Sequence, residues 1–455
     1  MSKIKKTIII IVIFLAILFF MKNYDIFKAG YYNIIIIKRG IFAPNKYWSN
    51  LSNKYLKDGN GVNYFYENKK KYGRFPITYM LGVKLRLVTN NDDIKIILDN
   101  SPDIFGPGEL KQVFFSQFMP NNVGISVGCP WKKRRSINTF TLDSEKLIQN
   151  AELYNRYMIE ILEKNKNDFK QNINYKFFKN IGNYMVQKII FNDTSFDADR
   201  FLQAFQEYNN LTVFFFRNKK IKKDVREYFY KVLYDSIDNP KADSLIYKMK
   251  IVTKDRDEIF NQICHLIFPL NGILFNVLPR IIILIFNHPD CFSKLVNEIN
   301  ETNNSGKDIY EMSYLRNCIL ESLRLNNPLI TTFRSLNKDF TFYGKDKNYD
   351  FKKGTQLLIL NNPVLRDPFF KKPNKFKPSR WNKELEESYY AIQFNQGPQK
   401  CPGKELVLYL LQSAIYNFIR IFNIKDLKNI DINRIETKYV PQFINPYSLN
   451  LNIKI

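Results

Sequence analysis

The alternation of apolar and polar positions divides the chain into a short apolar leader and one long, continuously patterned body. Residues Thr7 to Met21 form an uninterrupted apolar run, with Lys3, Lys5 and Lys6 before it and Lys22 after it. As a helix the run spans about 22 Å, short of the roughly 30 Å hydrocarbon core unless the flanking lysines snorkel. A cleaved signal peptide is the rival reading, but no A-x-A-like cleavage site follows. The run therefore predicts an uncleaved single-pass anchor over residues 1–22. Lys22, Lys28, Lys38 and Arg39 balance the lysines ahead of it, so charge does not set the topology.

From Arg74 to Leu98 the pattern is that of short strands followed by a helix, with Asn or Asp available to cap it. Between about Leu142 and Asn326 the 3.6-residue period dominates, which predicts a mainly helical middle. The longest apolar helix is expected over Glu258–Phe286, kinked or interrupted by Pro269 and Pro279. Beyond Asn327 short β-prone pieces alternate with turns until a second apolar helix, Gly403–Ile421. No Gly/Ser- or Pro-rich linker divides the body, and no internal repeat argues for a solenoid or propeller. The expected organisation is an anchor over residues 1–22, a linker leading into the body over 23–72, and one packed domain over 73–455. Its fold class is mainly α with small β-sheets.

Composition supports one large core: 45% of residues are hydrophobic and 15% aromatic. The net charge of +26 raises nucleic acid, an anionic membrane or an acidic partner. Lys, Asn and Ile are abundant throughout, however, a bias that follows from an AT-rich coding sequence. The runs Lys69–Lys71 and Lys219–Lys223 also lack the interleaved aromatics of an RNA-binding strand, so no nucleic-acid partner is expected. The second run is a candidate membrane or partner contact. The 5 cysteines are scattered and never in C-x-x-C spacing, which argues against a disulfide framework or zinc site and for a reducing compartment. The 2 histidines, His265 and His288, fall in or at the end of the central apolar helix and are read as structural.

The segment Phe394–Gly403 (FNQGPQKCPG) leads straight into the last helix. Gly397 permits a tight turn, and Cys401 stands just before a helix start whose unpaired N–H groups and positive dipole end stabilise a thiolate. A lone Cys at such a place is ordinarily a buried structural residue. Here, however, the segment resembles the haem loop of the cytochrome P-450 family, F-x-x-G-x-R-x-C-x-G, at Phe394, Gly397, Cys401 and Gly403. The resemblance implies that Cys401 is the axial ligand of a haem iron and that haem b is the cofactor. It departs at Gln399, where the family has a basic residue paired with a haem propionate. Gln offers only a neutral hydrogen bond.

Two further segments extend the resemblance. Glu321 and Arg324, three apart, share a helical face, although exposed pairs of this kind contribute little. Followed by Pro328, they resemble the family's E-x-x-R helix, and Phe376–Trp381 (FKPSRW) resembles its P-E-R-F segment. Together these imply a buried ion-pair cluster of Glu321, Arg324 and Arg380 that fixes the region behind the haem loop. Trp131 and Arg135, four apart on one face, resemble the W-x-x-x-R helix that contacts haem propionates, and Arg334 takes the place of another propionate partner. The segments run in family order from about residue 75 to 455. They imply the cytochrome P-450 fold enclosing one b-type haem, behind an N-terminal transmembrane anchor and with the catalytic domain in the cytosol.

The central helix is where the resemblance weakens. Family monooxygenases carry an acid–alcohol pair there that relays protons to bound dioxygen. Aligned on His288-Pro289-Asp290, that site falls on Pro269–Leu274, where Asn271 is the candidate distal residue; it can hydrogen-bond but not titrate. No Asp, Glu, Ser or Thr occurs from Cys264 to Asn287. Three functions stay open: a monooxygenase with a water-based proton relay, a reductase-independent enzyme that rearranges hydroperoxides or endoperoxides, and a haem-binding protein without turnover. The first implies a small apolar substrate and an NADPH-dependent reductase or other electron donor. Expected pocket walls are Ser101–Asn122, the central helix, Leu329–Thr332 and Pro441–Ser448, apolar or aromatic enough for a lipid-like ligand.

Overall fold

The computed structural model describes residues 61–80, 83–116, 119–168, 172–201, 219–427, 430–432 and 451–453. The expected anchor over 1–22 and the pocket wall Pro441–Ser448 lie outside the described residues. Helix α1 (Val62–Tyr72), strands β1 (Ile77–Met80) and β2 (Val83–Leu87), and helix α2 (Asn91–Asp99) come first. The Asn90 side chain accepts from the Asp92 N–H and so fixes the start of α2. Tyr64 and Phe65 of α1 pack with Leu85, Leu87 and Leu358 of the sheet, so the described end of the segment read as a linker belongs to the folded body.

Strand β3 (Phe105–Pro107) and helix α3 (Glu109–Ser116) follow, then α4 (Gly128–Thr141), α5 (Ser144–Lys166), the short strand β4 (Asn172–Ile173) and α6 (Tyr175–Val186). Helices α7 (Lys219–Asp238) and α8 (Leu245–Val252) lead to the central helix. This helix is continuous from Arg256 to Phe286: α9 (Arg256–Gly272), a π-helical segment (Ile273–Val277) and α10 (Leu278–Phe286). Its α-helical pattern is interrupted just before Pro279, by the π segment, whereas Pro269 sits inside α9. Each proline lacks the N–H that would close an α-helical bond, and before Pro279 the backbone widens into a π turn, with Leu278 N–H donating to Ile273 O. Long and apolar enough to cross a membrane, this helix is instead packed against α6, α7, α13 and α16 in the interior (the last two defined below).

Helices α11 (Pro289–Glu301), α12 (Gly306–Glu311) and α13 (Ser313–Leu325) come next, followed by β5 (Thr331–Leu336), β6 (Phe340–Phe342), β7 (Tyr349–Phe351) and β8 (Gln356–Leu360). After the single turn α14 (Asn361–Val364) and the short α15 (Lys383–Glu387) comes α16 (Lys404–Ile421), then β9 (Ile430–Ile432) and β10 (Leu451–Ile453). The main sheet has the order β1-β2-β8-β5-β3, with β2 and β8 parallel and the other pairs antiparallel. Smaller sheets, β4-β10-β9 and β6-β7, flank the helical body. The largest core joins α5, α6, the central helix, α13 and α16, with Cys264, Ile267, Leu274, Leu320 and Leu411 among its wholly buried side chains. This arrangement brings the start of α16, the end of α2 and the face of α4 to one place, where the cysteine loop lies.

Candidate functional site

The loop before α16 folds back on itself. Cys401 N–H donates to Phe394 O at 2.8 Å, and Lys400 N–H donates to Gly397 O at 3.0 Å. Gly397 has φ of 69°. A side chain there would run into the Leu98 carbonyl at the end of α2, with its Cβ 2.8 Å from the carbonyl carbon. Gln396 holds the loop from behind, its Nε2 donating to the carbonyls of Glu386, Ser388 and Ala391 at 3.1, 3.0 and 3.2 Å. The backbone carbonyl of Gln399 accepts from Asn395 Nδ2 at 3.2 Å. Phe394 is half-buried, and at Gly403 an added Cβ would make only ordinary contact with Leu142, so space does not demand glycine there.

Burial pushes the Cys401 thiol up and outweighs the Gly403 N–H and the charges of Arg135 and Lys404, which pull it down. Arg135 also donates from Nη1 to Lys400 O at 2.7 Å, which ties α4 to the loop. Trp131, one turn earlier on α4, is 9% exposed. A cleft of about 710 Å³ opens beside Cys401, lined by Arg135, Leu142, Tyr310, Glu386 and Lys404 among others. It is a charged surface: Arg316 bridges Glu386 and Glu405 at 2.5 and 2.8 Å, and Lys404 reaches Glu386 at 2.6 Å.

Behind the loop, Glu321 is brought together with both arginines. Arg324 donates from Nε and Nη2 to the two carboxylate oxygens, each at 2.9 Å, and Arg380 Nε reaches Oε1 at 3.0 Å. Sequence reasoning missed two donors, Trp381 Nε1 at 3.0 Å and the Lys377 N–H at 2.9 Å. Trp381 stands at the aromatic place of the P-E-R-F-like segment, where an indole adds an N–H that a phenyl ring lacks. Burial alone would raise the Glu321 carboxyl, but Arg324 first, then Arg380 and the Lys377 N–H, outweigh it and hold it below its ordinary range. Arg324 completes its own bonding with the carbonyls of Leu365 and Pro373 at 2.7 and 2.8 Å.

Arg334 lies in the interior on β5, 4% exposed, donating to Ser101 Oγ at 3.0 Å and Phe333 O at 2.9 Å. Both acceptors are neutral, and burial brings its pKa down to about 10. Lys111 of α3 is close enough for the two charges to repel, a neighbour that no sequence pattern marked. Asn271 is not part of this group. Its Nδ2 donates to Asn183 Oδ1 of α6 at 2.7 Å, and the side chain is 2% exposed. Gly182 makes room for it: a Cβ there would lie 3.1 Å from Asn271 O and 3.3 Å from Asn271 Nδ2. Asn271 thus serves a contact between the central helix and α6.

These residues suit an iron porphyrin. Cys401 offers one sulfur ligand, which fits a metal whose other ligands come from a macrocycle. A buried guanidinium without a carboxylate among the described residues fits an anionic group supplied by a ligand.

The sequence pattern of the family described as Cytochrome P450 matches residues 43–264 and 275–451. Among curated relatives, "Cytochrome P450 81D1" of Arabidopsis thaliana is 32% identical over 157 residues, 33% of this chain and 30% of that protein. "Beta-amyrin 28-monooxygenase CYP716A378" of Saponaria officinalis is 31% identical over 148 residues, 31% of this chain and 30% of that protein. The chain thus spans about a third of the length of these curated relatives. Among solved structures, the retinoic-acid-bound cyanobacterial CYP120A1 aligns with a TM-score of 0.71 at 17% identity, covering 90% of this chain and 97% of that one. The two matched stretches meet within the central helix, leaving out 265–274 of it, and take in every site residue described above except Asn271; the chain belongs to the cytochrome P450 family, whose members bind haem b.

Proposed function

We propose that this protein is a haem-thiolate monooxygenase that inserts one atom of dioxygen into a small apolar, lipid-like substrate, using electrons from a reductase-type donor. The observation that carries this reading is Cys401 at the mouth of α16, with its backbone fixed by Phe394 and its sulfur facing the Gly403 N–H and the Arg135 charge. When bound, haem supplies the iron at which dioxygen is activated. The chain's part is to hold the iron through Cys401 Sγ, whose electron density favours O–O cleavage, and to keep the loop rigid through Gly397, Gln396 and the Glu321 cluster. Trp131, Arg135 and Arg334 are assigned to the propionate side. The charged cleft beside Cys401 supports the docking of an electron donor on that face.

A second reading has its own support. The residues left unmatched between the two family stretches, 265–274, include Asn271, and that side chain is engaged by Asn183. A hydroperoxide- or endoperoxide-rearranging enzyme needs neither a reductase nor a proton relay at that place. For location, we propose a single-pass anchor at residues 1–22 with the catalytic body on the cytosolic side.

Turnover of a panel of lipids under 18O2 with a reductase present tests the main reading. One 18O atom per product molecule supports it; oxygen-free rearrangement of a hydroperoxide supports the second. The ferrous carbon monoxide complex should show the red-shifted Soret band of a thiolate ligand, and a normal thiolate spectrum in Cys401→Ser would remove the assignment of Cys401.

A further inference from the structure

The β3–α3 corner carries a second cation into the interior. Pro107 of β3 pairs with Arg334 of β5, and α3 begins two residues later. At Gly108 an added Cβ would lie 2.7 Å from Phe333 Cβ, so the start of α3 is pressed onto β5. Gln112 Nε2 donating to Pro107 O at 3.0 Å, and Gln356 Oε1 accepting from the Glu109 N–H at 2.9 Å, fix the corner. Lys111 therefore projects from a rigid support, close to Arg334.

Its other neighbour is the central helix. The chain at 121–123 is clamped to that helix, with Asn261 Oδ1 accepting from the Asn121 N–H at 2.9 Å and Gln262 Oε1 from the Val123 N–H at 3.1 Å. That clamp sets Gly124 between Lys111 and His265: a Cβ built on Gly124 would lie 3.3 Å from Lys111 Nζ and 3.4 Å from His265 Cε1. A side chain at 124 would occupy the space these two groups border.

Lys111, Arg334 and His265 make an unbalanced group. No ion pair joins Lys111 or Arg334 to a carboxylate among the described residues. Glu109 lies two residues from Lys111 on α3, a spacing at which helical side chains do not face each other. Burial and the Arg334 charge bring Lys111 down to about 8, and burial with Lys111 brings His265 down to about 4. A half-buried lysine beside a buried arginine, with neutral neighbours, is costly unless an anion joins them.

We propose that Lys111 and Arg334 together form a carboxylate-binding site, with His265 as its wall on the central helix. The carboxylate is either a haem propionate or the acid end of a fatty-acid-like substrate. A propionate contact would offset the missing basic residue at Gln399; a substrate contact would set the chain's preference for acids. The site rests on the haem-binding part of the proposed function.

The test uses the full-length holoprotein and the variants Lys111→Met and Lys111→Arg, with two readouts. The first is the rate of haem transfer to apomyoglobin; the second is the affinity for dodecanoic acid against dodecan-1-ol, from the shift of the haem spectrum. For a propionate, Lys111→Met speeds haem loss about tenfold and Lys111→Arg stays near wild type, the loss of one charge-assisted hydrogen bond. For a substrate acid, haem loss is unchanged and the preference for acid over alcohol falls about tenfold in Lys111→Met alone. If neither readout moves, or if Met and Arg behave alike, the carboxylate site is overturned while the haem-thiolate reading stands. A wild-type chain that takes up no haem would overturn both. Reconstitution with haem dimethyl ester checks the propionate source: Lys111→Met should speed the loss of haem but not of the ester, and equal acceleration of both would rule the propionate out.

Discussion

Gly397 and the Leu98 carbonyl are in backbone contact, so the cysteine loop is seated directly on the end of α2. Two constraints coincide at this glycine, a left-handed φ of 69° and the absence of room for a Cβ. Gly397→Ala therefore combines conformational strain of about 1–3 kcal/mol with displacement of α2 or the loop. We expect a sharp fall in haem-loaded yield and a lower Tm. Gly403→Ala, where a Cβ meets only Leu142 at 3.5 Å, should be much milder. Equal losses in the two variants would refute the contact with Leu98 as the cause.

Glu321 is the single acid that two arginines, an indole and a backbone N–H converge on. Glu321→Ala strands Arg324 and Arg380 in the interior, and breaking a buried pair by removing one partner costs about 3–5 kcal/mol. Lys352→Ala, which removes an exposed charge paired with Asp339, is the control and should change stability little. Urea unfolding of the two variants measures the difference.

The same cluster has a pH signature. The folded-state pKa of Glu321 lies below its ordinary value of 4.5, so its contribution is fully present above about pH 4.5 and is lost as pH falls through the folded pKa. Wild type should lose stability in that acid range more steeply than Glu321→Gln, which carries no titrating group there. Parallel stability profiles below pH 4.5 would count against a depressed Glu321.

Periodicity made the long elements legible. The Glu258–Phe286 pattern marks the central helix, Gly403–Ile421 marks α16, and the three-residue spacing of Glu321 and Arg324 puts both on one face. What sequence could not carry is register. The alignment that singled out Asn271 counts backward from His288 through Ile273–Val277, and a π segment there inserts extra backbone. One residue of slippage turns a helix face by about 100°, so the pattern alone does not say which side chains of 269–277 share a face. Lys111 was invisible for another reason: its role depends on β3 pairing with β5 far along the chain. No local pattern records that pairing.

Asn271 and Asn183 should therefore behave as a structural pair. Replacing either by Ala leaves a buried amide without its partner, at a cost of about 1–3 kcal/mol, and the double variant should cost less than the sum. Unfolding of the two single variants and the double variant gives the coupling energy. Strict additivity would show that the bond contributes nothing, and a large change in product yield at unchanged stability would return Asn271 to the distal side.

The last prediction concerns proton delivery. Splitting dioxygen requires two protons at its distal oxygen, and the central helix offers no carboxylate or hydroxyl between Cys264 and Asn287. The amide of Asn271, the remaining candidate, is engaged by Asn183. Protons must then arrive through ordered water, a slower route past apolar walls such as the half-buried Ile273. Reductant-driven turnover should accordingly be poorly coupled, with much of the electron flow appearing as hydrogen peroxide. A hydroperoxide substrate brings an O–O bond that is already reduced, so the same apolar wall is no handicap and keeps water from reactive species. Its conversion should need no reductase. Ile273→Thr adds a hydroxyl at the start of the π segment and should raise the fraction of reducing equivalents recovered in product while leaving hydroperoxide conversion unchanged. Tight coupling in the unmodified protein would show that water alone suffices, and would leave the monooxygenase reading without its rival.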